Sequence, residues 1–240
     1  MRARLAASPL LALLLAACAG APVAPAPPAA AAPTPPRPAA GDLFSTIPCA
    51  GTSLGRTWAE LLPEARTRFP GVNLTRVEDL HVTVVYVGPG WSREELGRIR
   101  ALALATPREP FTSHPEITRF GATGHVVVAE LKDAPAAWLS DVAAAKAEMN
   151  RLGLKRPDRY DAEFHPHVTL AASRRRPPAP ADAAELDALR AWLAAKASAS
   201  PATFAVALGP ETPARLWLAG LPRPAGAAEY VDLDGSAAVR

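Results

Sequence analysis

Residues 80–88 have the sequence LHVTVVYVG and residues 164–171 have the sequence FHPHVTLA, and the interpretation of the whole chain starts from these two stretches. Both contain several β-branched residues, which predicts two buried strands. Each carries the pattern His-x-Thr, at His81 and Thr83 in the first strand and at His167 and Thr169 in the second. Because residues two apart on a strand point to the same face, each strand presents an imidazole and a hydroxyl to one surface. By the same alternation, Tyr86 is expected to face away from His81.

The elements predicted around these strands repeat along the chain. Each His-x-Thr strand is followed by a helix and then by two strands. In the first half, the helix begins at a capping box formed by Ser92 and Glu95 and runs to about residue 104, before strands at 117–120 and 125–131. In the second half, Asp182 is expected to cap the helix, and residues 204–208 and 216–221 are expected to pair. A strand at 43–47 and helices at 57–68 and from Pro135 complete the prediction. The repeat indicates an internal duplication, although residue identity between the halves is low.

Two histidines that meet across a cleft suit the hydrolysis of a phosphodiester without a metal or another cofactor. One neutral imidazole takes a proton from the attacking water, and the other, protonated, gives one to the departing ribose oxygen. The hydroxyls of Thr83 and Thr169 are placed to bind the non-bridging phosphate oxygens, where charge grows in the transition state. The pair is nearly symmetric, so either His81 or His167 can be the base.

These motifs resemble those of the 2H phosphoesterase superfamily, which includes the bacterial 2′-5′ RNA ligase and RNA 2′,3′-cyclic phosphodiesterase proteins. Residues 80–88, with their closing aromatic-x-Gly, are similar to the first motif, and residues 164–171 to the second. Residues 43–48 look like the opening strand of that family, and Phe120-Gly121 like its strand-ending pair. The resemblance covers about residues 42–221.

The resemblance implies an α+β fold with two pseudo-twofold lobes, whose antiparallel sheets line a central cleft and whose helices lie outside. It also implies hydrolysis of 2′,3′-cyclic phosphodiesters, in cyclic nucleotides or at RNA ends, with His81 and His167 as catalytic residues and Thr83 and Thr169 as substrate ligands. The chain departs from its relatives after the second motif, where many carry a basic residue and this chain has Ala172. Arg174 lies two residues further on.

Two other functions fit parts of the pattern. His165 and His167 lie two apart and form a metal site if His81 joins them, although this leaves the threonines unexplained. Alternatively, the domain is catalytically silent and binds nucleotides or envelope components. An intact set of two histidines and two threonines favours the enzyme, because a binding module needs no acid and base.

The N-terminus predicts a lipoprotein. Arg2 and Arg4 precede an apolar stretch too short to span a bilayer, which ends in Leu-Ala-Ala-Cys at Cys18. This resembles a lipobox, so residues 1–17 are expected to be a signal peptide and Cys18 the lipidated residue, on a periplasmic protein anchored to the outer membrane. An ordinary signal peptide that happens to contain a cysteine is the alternative.

Composition divides the rest of the chain. Residues 18–41 are mostly Ala and Pro and are expected to form an extended tether, residues 42–222 the phosphoesterase-like domain and residues 223–240 a tail. Net charge is +3 and falls to +1 without Arg2 and Arg4, which gives no reason to expect a polyanion as partner. A monomer that binds a small cyclic nucleotide or an RNA terminus is expected. With Cys18 lipidated, Cys49 has no disulfide partner and is expected to be buried.

Overall fold

The computed structural model describes residues 41–155, 157–158, 160–161, 163–220 and 231–233. The predicted signal peptide (1–17), the lipidation site Cys18, all but the last residue of the tether (18–41) and most of the C-terminal tail (223–240) lie outside the described residues. The domain predicted at 42–222 is described almost throughout.

The described residues form ten strands and four α-helices. The strands are β1 (Asp42–Pro48), β2 (Val72–Leu74), β3 (His81–Gly88), β4 (Phe111–Ser113), β5 (Glu116–Phe120), β6 (Val126–Glu130), β7 (His167–Ser173), β8 (Val206–Leu208), β9 (Arg215–Ala219) and β10 (Val231–Asp232). The helices are α1 (Ser53–Arg68), α2 (Leu96–Ala103), α3 (Ala136–Arg151) and α4 (Pro180–Ala199). Short 3₁₀ turns occupy Val77–Asp79 and Pro201–Phe204. Within this part of the chain, no helix is both long enough and apolar enough to cross a lipid bilayer.

The main sheet is antiparallel and consists of two similar halves. Its strands follow the order β10-β9-β1-β3-β7-β6-β5, with β2 also paired to β7, while β4 and β8 form a separate pair. In one half β3 pairs with β1 and β1 with β9; in the other, β7 pairs with β6 and β6 with β5. The halves join where Val82 of β3 pairs with Val168 of β7. The predicted α+β fold with duplicated antiparallel sheets is confirmed.

The helices cover the sheet face to which Val82 and Val168 point. Both valines are fully buried and belong to one apolar core. The helices contribute buried side chains to the same core: Leu54, Trp58 and Leu62 from α1, Trp138, Val142 and Met149 from α3, and Leu186, Leu189 and Leu193 from α4. The opposite face of the two strands, where the histidines lie, is therefore the face left for function.

Matching bulges interrupt β3 and β7. Along β1, Ser45 pairs with Val85 and Thr46 with Thr83, so that Val84 is an extra residue in β3. Leu170 is the equivalent extra residue in β7, because Val127 pairs with Ala171 and Val128 with Thr169. A bulge reverses the alternation of the residues that follow it. The expectation that Tyr86 faces away from His81 is therefore wrong, and Tyr86 lies on the same side as Thr83.

The predicted pairing of 204–208 with 216–221 is also wrong. Strand β8 pairs with β4, and β9 pairs with β1. Leu216 and Leu218 lie opposite Ser45 and Leu43, and their side chains belong to the main core.

Three helix starts differ from the sequence prediction. Helix α1 begins at Ser53, four residues before the predicted start at 57, where the Thr52 hydroxyl caps it by accepting from the Gly55 backbone N–H at 3.2 Å. Ser92 and Glu95 form the capping contacts, with the Ser92 backbone N–H and hydroxyl each donating to the Glu95 carboxylate at 2.8 Å, but α2 begins only at Leu96. Asp182 does not cap α4, because that helix already begins at Pro180, which suits a first helical position. The Asp182 carboxylate instead accepts a hydrogen bond from the Ser173 hydroxyl at 3.3 Å.

Cys49 is buried, as predicted. Its thiol has no accessible surface and lies 3.4 Å from the carbonyl oxygen of Ile47, to which it donates. Burial raises the pKa of this thiol to about 12, which keeps it protonated and unreactive at neutral pH.

Candidate active site

The pairing of Val82 with Val168 brings the four predicted site residues onto neighbouring positions. In an antiparallel ladder, the residues that flank a bridge lie opposite one another, which sets His81 across from Thr169 and Thr83 across from His167. The two histidines are then diagonal neighbours, a relation that separates residues on adjacent strands by about 7–8 Å. All four side chains are half-buried on the same face.

The two imidazoles are held in the same way. Nδ1 of His81 lies 2.7 Å from the carbonyl oxygen of Asp79, and Nδ1 of His167 lies 2.7 Å from that of His165. A carbonyl oxygen only accepts, so Nδ1 is the protonated nitrogen of both rings. Nε2 is then the atom through which each histidine exchanges a proton.

The threonine hydroxyls remain available for a ligand. Neither the Thr83 nor the Thr169 side chain makes a hydrogen bond to any residue that the structure describes. A half-buried hydroxyl without a protein partner can donate its proton to a bound oxyanion.

The surroundings of the two histidines differ in charge. The ring of His81 packs on Trp217 and Phe44, with centroid distances of 5.0 and 5.7 Å, and its neighbour across β1 is Pro48. The ring of His167 packs on Phe120 at 4.4 Å, and its neighbour across β6 is Glu130. The surroundings of His81 are therefore apolar, whereas an acidic residue lies next to His167.

These environments act on the pKa values. Burial lowers the pKa of His81 from 6.5 to about 4, against the hydrogen bond to Asp79, and positive charge on His167 lowers it further. Burial also lowers the pKa of His167, but the hydrogen bond to the His165 carbonyl and the negative charge of Glu130 oppose that effect.

A cleft of about 410 Å³ opens over this face. Thr83, His167 and Thr169 line it, whereas His81 does not and lies next to Thr83 and Thr169 at its edge. The cleft opens because β3 and β7 pair only near Val82, and β2 replaces β3 as the partner of β7 from Ala171 onward.

An aromatic strip forms one wall of the cleft. The ring of Phe120 lies next to that of His167 and stacks on Tyr160, with centroids 5.9 Å apart and planes at 27°. Tyr86 and Tyr160 also line the cleft and are the exposed large hydrophobic residues of the described chain, at 42% and 37%. Sequence alternation missed Tyr86 because of the bulge at Val84, and no motif pointed to Tyr160.

Arg174 does not reach the cleft. Its guanidinium donates a hydrogen bond to the carbonyl oxygen of Pro70 at 2.6 Å. The side chain of Ala172 has no charge to offer. Any cation that binds substrate in this cleft must therefore come from another element.

The proposed three-histidine metal site is not assembled among the described residues, where no group of three His, Cys, Asp or Glu side chains is arranged to hold an ion. The ring of His165 is half-exposed and lies 3.6 Å from Glu130 and 3.4 Å from Glu163, measured between nitrogen and carboxylate oxygen.

Comparison with known proteins gives a clear result for the fold. The chain matches no protein-family model and no curated protein sequence. It superposes on E. coli LigT complexed with 3′-AMP with a TM-score of 0.54 and 19% identity, covering 82% of this chain and 95% of LigT. A phosphoesterase crystal structure gives a TM-score of 0.52 and 18% identity over 81% of this chain and 96% of that one. Protein TT0787 of Thermus thermophilus gives 0.50 and 22% over 80% and 94%. The chain therefore shares the fold of LigT and of this phosphoesterase.

Proposed function

We propose that this protein hydrolyses 2′,3′-cyclic phosphodiesters, in cyclic nucleotides or at RNA ends, without a metal. The observation that carries the proposal is the convergence, beside one cleft, of two similarly held imidazoles and two hydroxyls that have no hydrogen-bond partner in the described part of the chain. Acid, base and phosphate ligands are the groups that this reaction requires.

In the proposed mechanism, His81 is the base and His167 the acid. Nε2 of His81 takes a proton from water as the water oxygen bonds to phosphorus. Nε2–H of His167 gives a proton to the ribose 3′ oxygen as its bond to phosphorus breaks, leaving a 2′-phosphate. The hydroxyls of Thr83 and Thr169 donate hydrogen bonds to the non-bridging oxygens. Exchange with solvent then restores both imidazoles.

Charge favours this assignment of the two roles. The acid must carry a proton before the reaction, and Glu130 beside His167 stabilises the protonated ring. The base must be neutral, and the apolar surroundings of His81 disfavour its charged form.

The aromatic strip supports a nucleotide as the substrate. Flat nucleobases stack on aromatic side chains with about 1–3 kcal/mol per base. Tyr86, Phe120 and Tyr160 offer such surfaces in the cleft next to His167. In keeping with this, LigT, which has the same fold, has been crystallised with 3′-AMP and with NADP+.

The test is turnover of 2′,3′-cyclic AMP by purified protein, with and without a chelator, beside His81→Ala and His167→Ala. We expect chelator-resistant hydrolysis to 2′-AMP that falls at least 100-fold in each variant, because each removes one proton-transfer group. Turnover abolished by the chelator would instead indicate a metal enzyme. Binding without turnover across a panel of cyclic phosphates would indicate a silent nucleotide-binding domain and refute the enzyme.

We also propose that Cys18 anchors the protein to the periplasmic face of the outer membrane, on the basis of the Leu-Ala-Ala-Cys motif alone. Cys18→Ser should move the protein from the membrane fraction to the soluble periplasmic fraction. Unchanged retention in the membrane fraction would refute the anchor.

A further inference from the structure

Lys146 is a buried cation in the cleft that the proposed mechanism does not use. It lies on α3, lines the cleft and is only 5% exposed. Its ammonium donates to the carbonyl oxygen of Tyr160 at 3.0 Å and lies 4.7 Å from the centroid of the Phe164 ring. Among the described residues, no carboxylate lies within ion-pair distance of it.

Lys155, close by, shows what a structural lysine looks like in this region. Its side chain is fully buried, and its ammonium lies 2.7 Å from one carboxylate oxygen of Asp161 and 3.5 Å from Asp158. The Asn150 side-chain amide also donates to Asp161, at 2.8 Å. Lys155 is thus neutralised where it lies, whereas the described part of the chain supplies no such partner for Lys146.

A buried ammonium without a counter-charge is costly, because it loses its hydration without an ion pair in return. The hydrogen bond to Tyr160 uses one of its three N–H groups, and the Phe164 ring gives only a weak cation–π contact in addition. Burial lowers the pKa of Lys146, while the negative charges of Asp161 and Asp158 raise it. An anion in the cleft would supply the missing counter-charge.

The acidic side chain that shares the cleft with Lys146 is already engaged. Asp158 lines the cleft, and its carboxylate accepts from the backbone N–H of Tyr160 at 2.7 Å and from the Lys155 ammonium. Lys146 donates to the carbonyl oxygen of Tyr160. The ring of the same tyrosine stacks on Phe120, which lies beside His167. Lys146 is thus linked to His167 through Tyr160 and Phe120, and Lys146 and His167 line the same cleft.

We propose that Lys146 binds a second phosphate group of the substrate, remote from the one that is cleaved; this inference rests on the proposed function. In a nucleoside 2′,3′-cyclic phosphate the 2′ and 3′ oxygens are occupied, so the 5′ oxygen is the ribose position left to carry another phosphate. The preferred substrate class is then a cyclic phosphate with a phosphate on its 5′ oxygen. That group is either a terminal monoester or the internucleotide diester of an RNA end.

The test compares kcat/KM of the purified full-length protein for adenosine 2′,3′-cyclic phosphate, the same compound with a 5′-phosphate, and the dinucleotide ApA ending in a 2′,3′-cyclic phosphate. We expect a preference of roughly tenfold or more for a 5′-phosphorylated form, as is typical of a hydrogen bond between charged groups. A preference for the monoester alone identifies a nucleotide substrate, and a preference for the dinucleotide an RNA end.

Substitutions test whether Lys146 causes the preference for a substrate with a phosphate on its 5′ oxygen. Lys146→Gln keeps a donor for the Tyr160 carbonyl but removes the charge, and should reduce the ratio of kcat/KM values to near one. Lys146→Arg keeps the charge and should retain the preference, as should Lys196→Gln, which removes an exposed lysine outside the cleft. Equal kcat/KM for all three substrates in the wild type, or an unchanged ratio in Lys146→Gln, would overturn the inference and leave the proposed function intact.

A binding measurement separates the two proposals. By calorimetry, adenosine 2′,5′-bisphosphate should bind roughly tenfold or more tightly than adenosine 2′-phosphate, and Lys146→Gln should remove the difference. If no cyclic phosphate is hydrolysed but this Lys146-dependent difference is found, the proposed function fails and the second anion site stands. If both nucleotides bind equally, the second phosphate site at Lys146 is refuted, whether or not the protein hydrolyses cyclic phosphates.

Discussion

Protonation of His81 should destabilise the folded protein in weak acid. Its pKa is about 4 in the folded state and returns to the ordinary value of 6.5 on unfolding. Between these values the unfolded chain binds more protons than the folded protein, so stability rises with pH there. The contribution of His81 is complete above pH 6.5 and is lost as the pH falls toward 4.

The size of this effect follows from the two pKa values. At pH 5, nearly all of the unfolded chains but few of the folded molecules carry the proton, which lowers the free energy of unfolding by about 2 kcal/mol relative to pH 7.5. The same calculation gives about 3 kcal/mol once the pH is below 4. His81→Gln keeps a polar group but cannot titrate, so it should lack this part of the acid destabilisation.

Urea unfolding followed by tryptophan fluorescence at pH 7.5, 6.5, 5.5 and 5 measures the effect in wild type and His81→Gln. His114→Gln removes an exposed imidazole and controls for the loss of a histidine as such. A wild-type and a His81→Gln protein that lose stability in parallel across this range, or an NMR titration that places the His81 midpoint near 6.5, would contradict the reasoning.

Three further predictions concern the site and the core. Thr83→Val, and equally Thr169→Val, should lower kcat about 100-fold with little change in unfolding free energy, because each removes one donor to the phosphate; an unchanged kcat would show that the hydroxyl does not contact the reacting group. A substrate with sulfur in place of the bridging 3′ oxygen has a leaving group that needs no proton. On this substrate His167→Ala should recover most of its lost rate, and failure to recover would contradict the role of His167 as the acid. Cys49 should react with a thiol reagent only after denaturation, measured by thiol counts in a Cys18→Ser background; labelling of the native protein would mean that the core opens there.

The sequence predicted the parts of the structure that depend on local periodicity. The placement of His81 with Thr83, and of His167 with Thr169, follows from the two-residue period of a strand and holds as far as the bulges. Beyond the bulges the two-residue alternation is reversed, and Tyr86 lies on the opposite face of the sheet from the one predicted. The cause is the extra residue Val84, which depends on how β3 pairs with β1.

Other features depend on which distant elements meet. Strand β9 pairs with β1 across more than 160 residues of sequence, a partner that local periodicity does not indicate. Lys146 gives no signal in the sequence, because a lysine on a helix is expected to be solvated. Only the packing of α3 against the segment that contains Tyr160 and Phe164 makes it a buried cation.

The seam between Val82 and Val168 has a mechanical consequence. The two imidazoles sit on neighbouring strands of one continuous sheet, so the gap between them is set by main-chain hydrogen bonding and not by the swing of a hinge. Sequence changes in the outer loops can alter which molecules enter the cleft, while the distance between the two imidazoles stays the same. New ligand specificity can therefore evolve by substitutions at the rim of the cleft, while the two central strands keep the histidines in place.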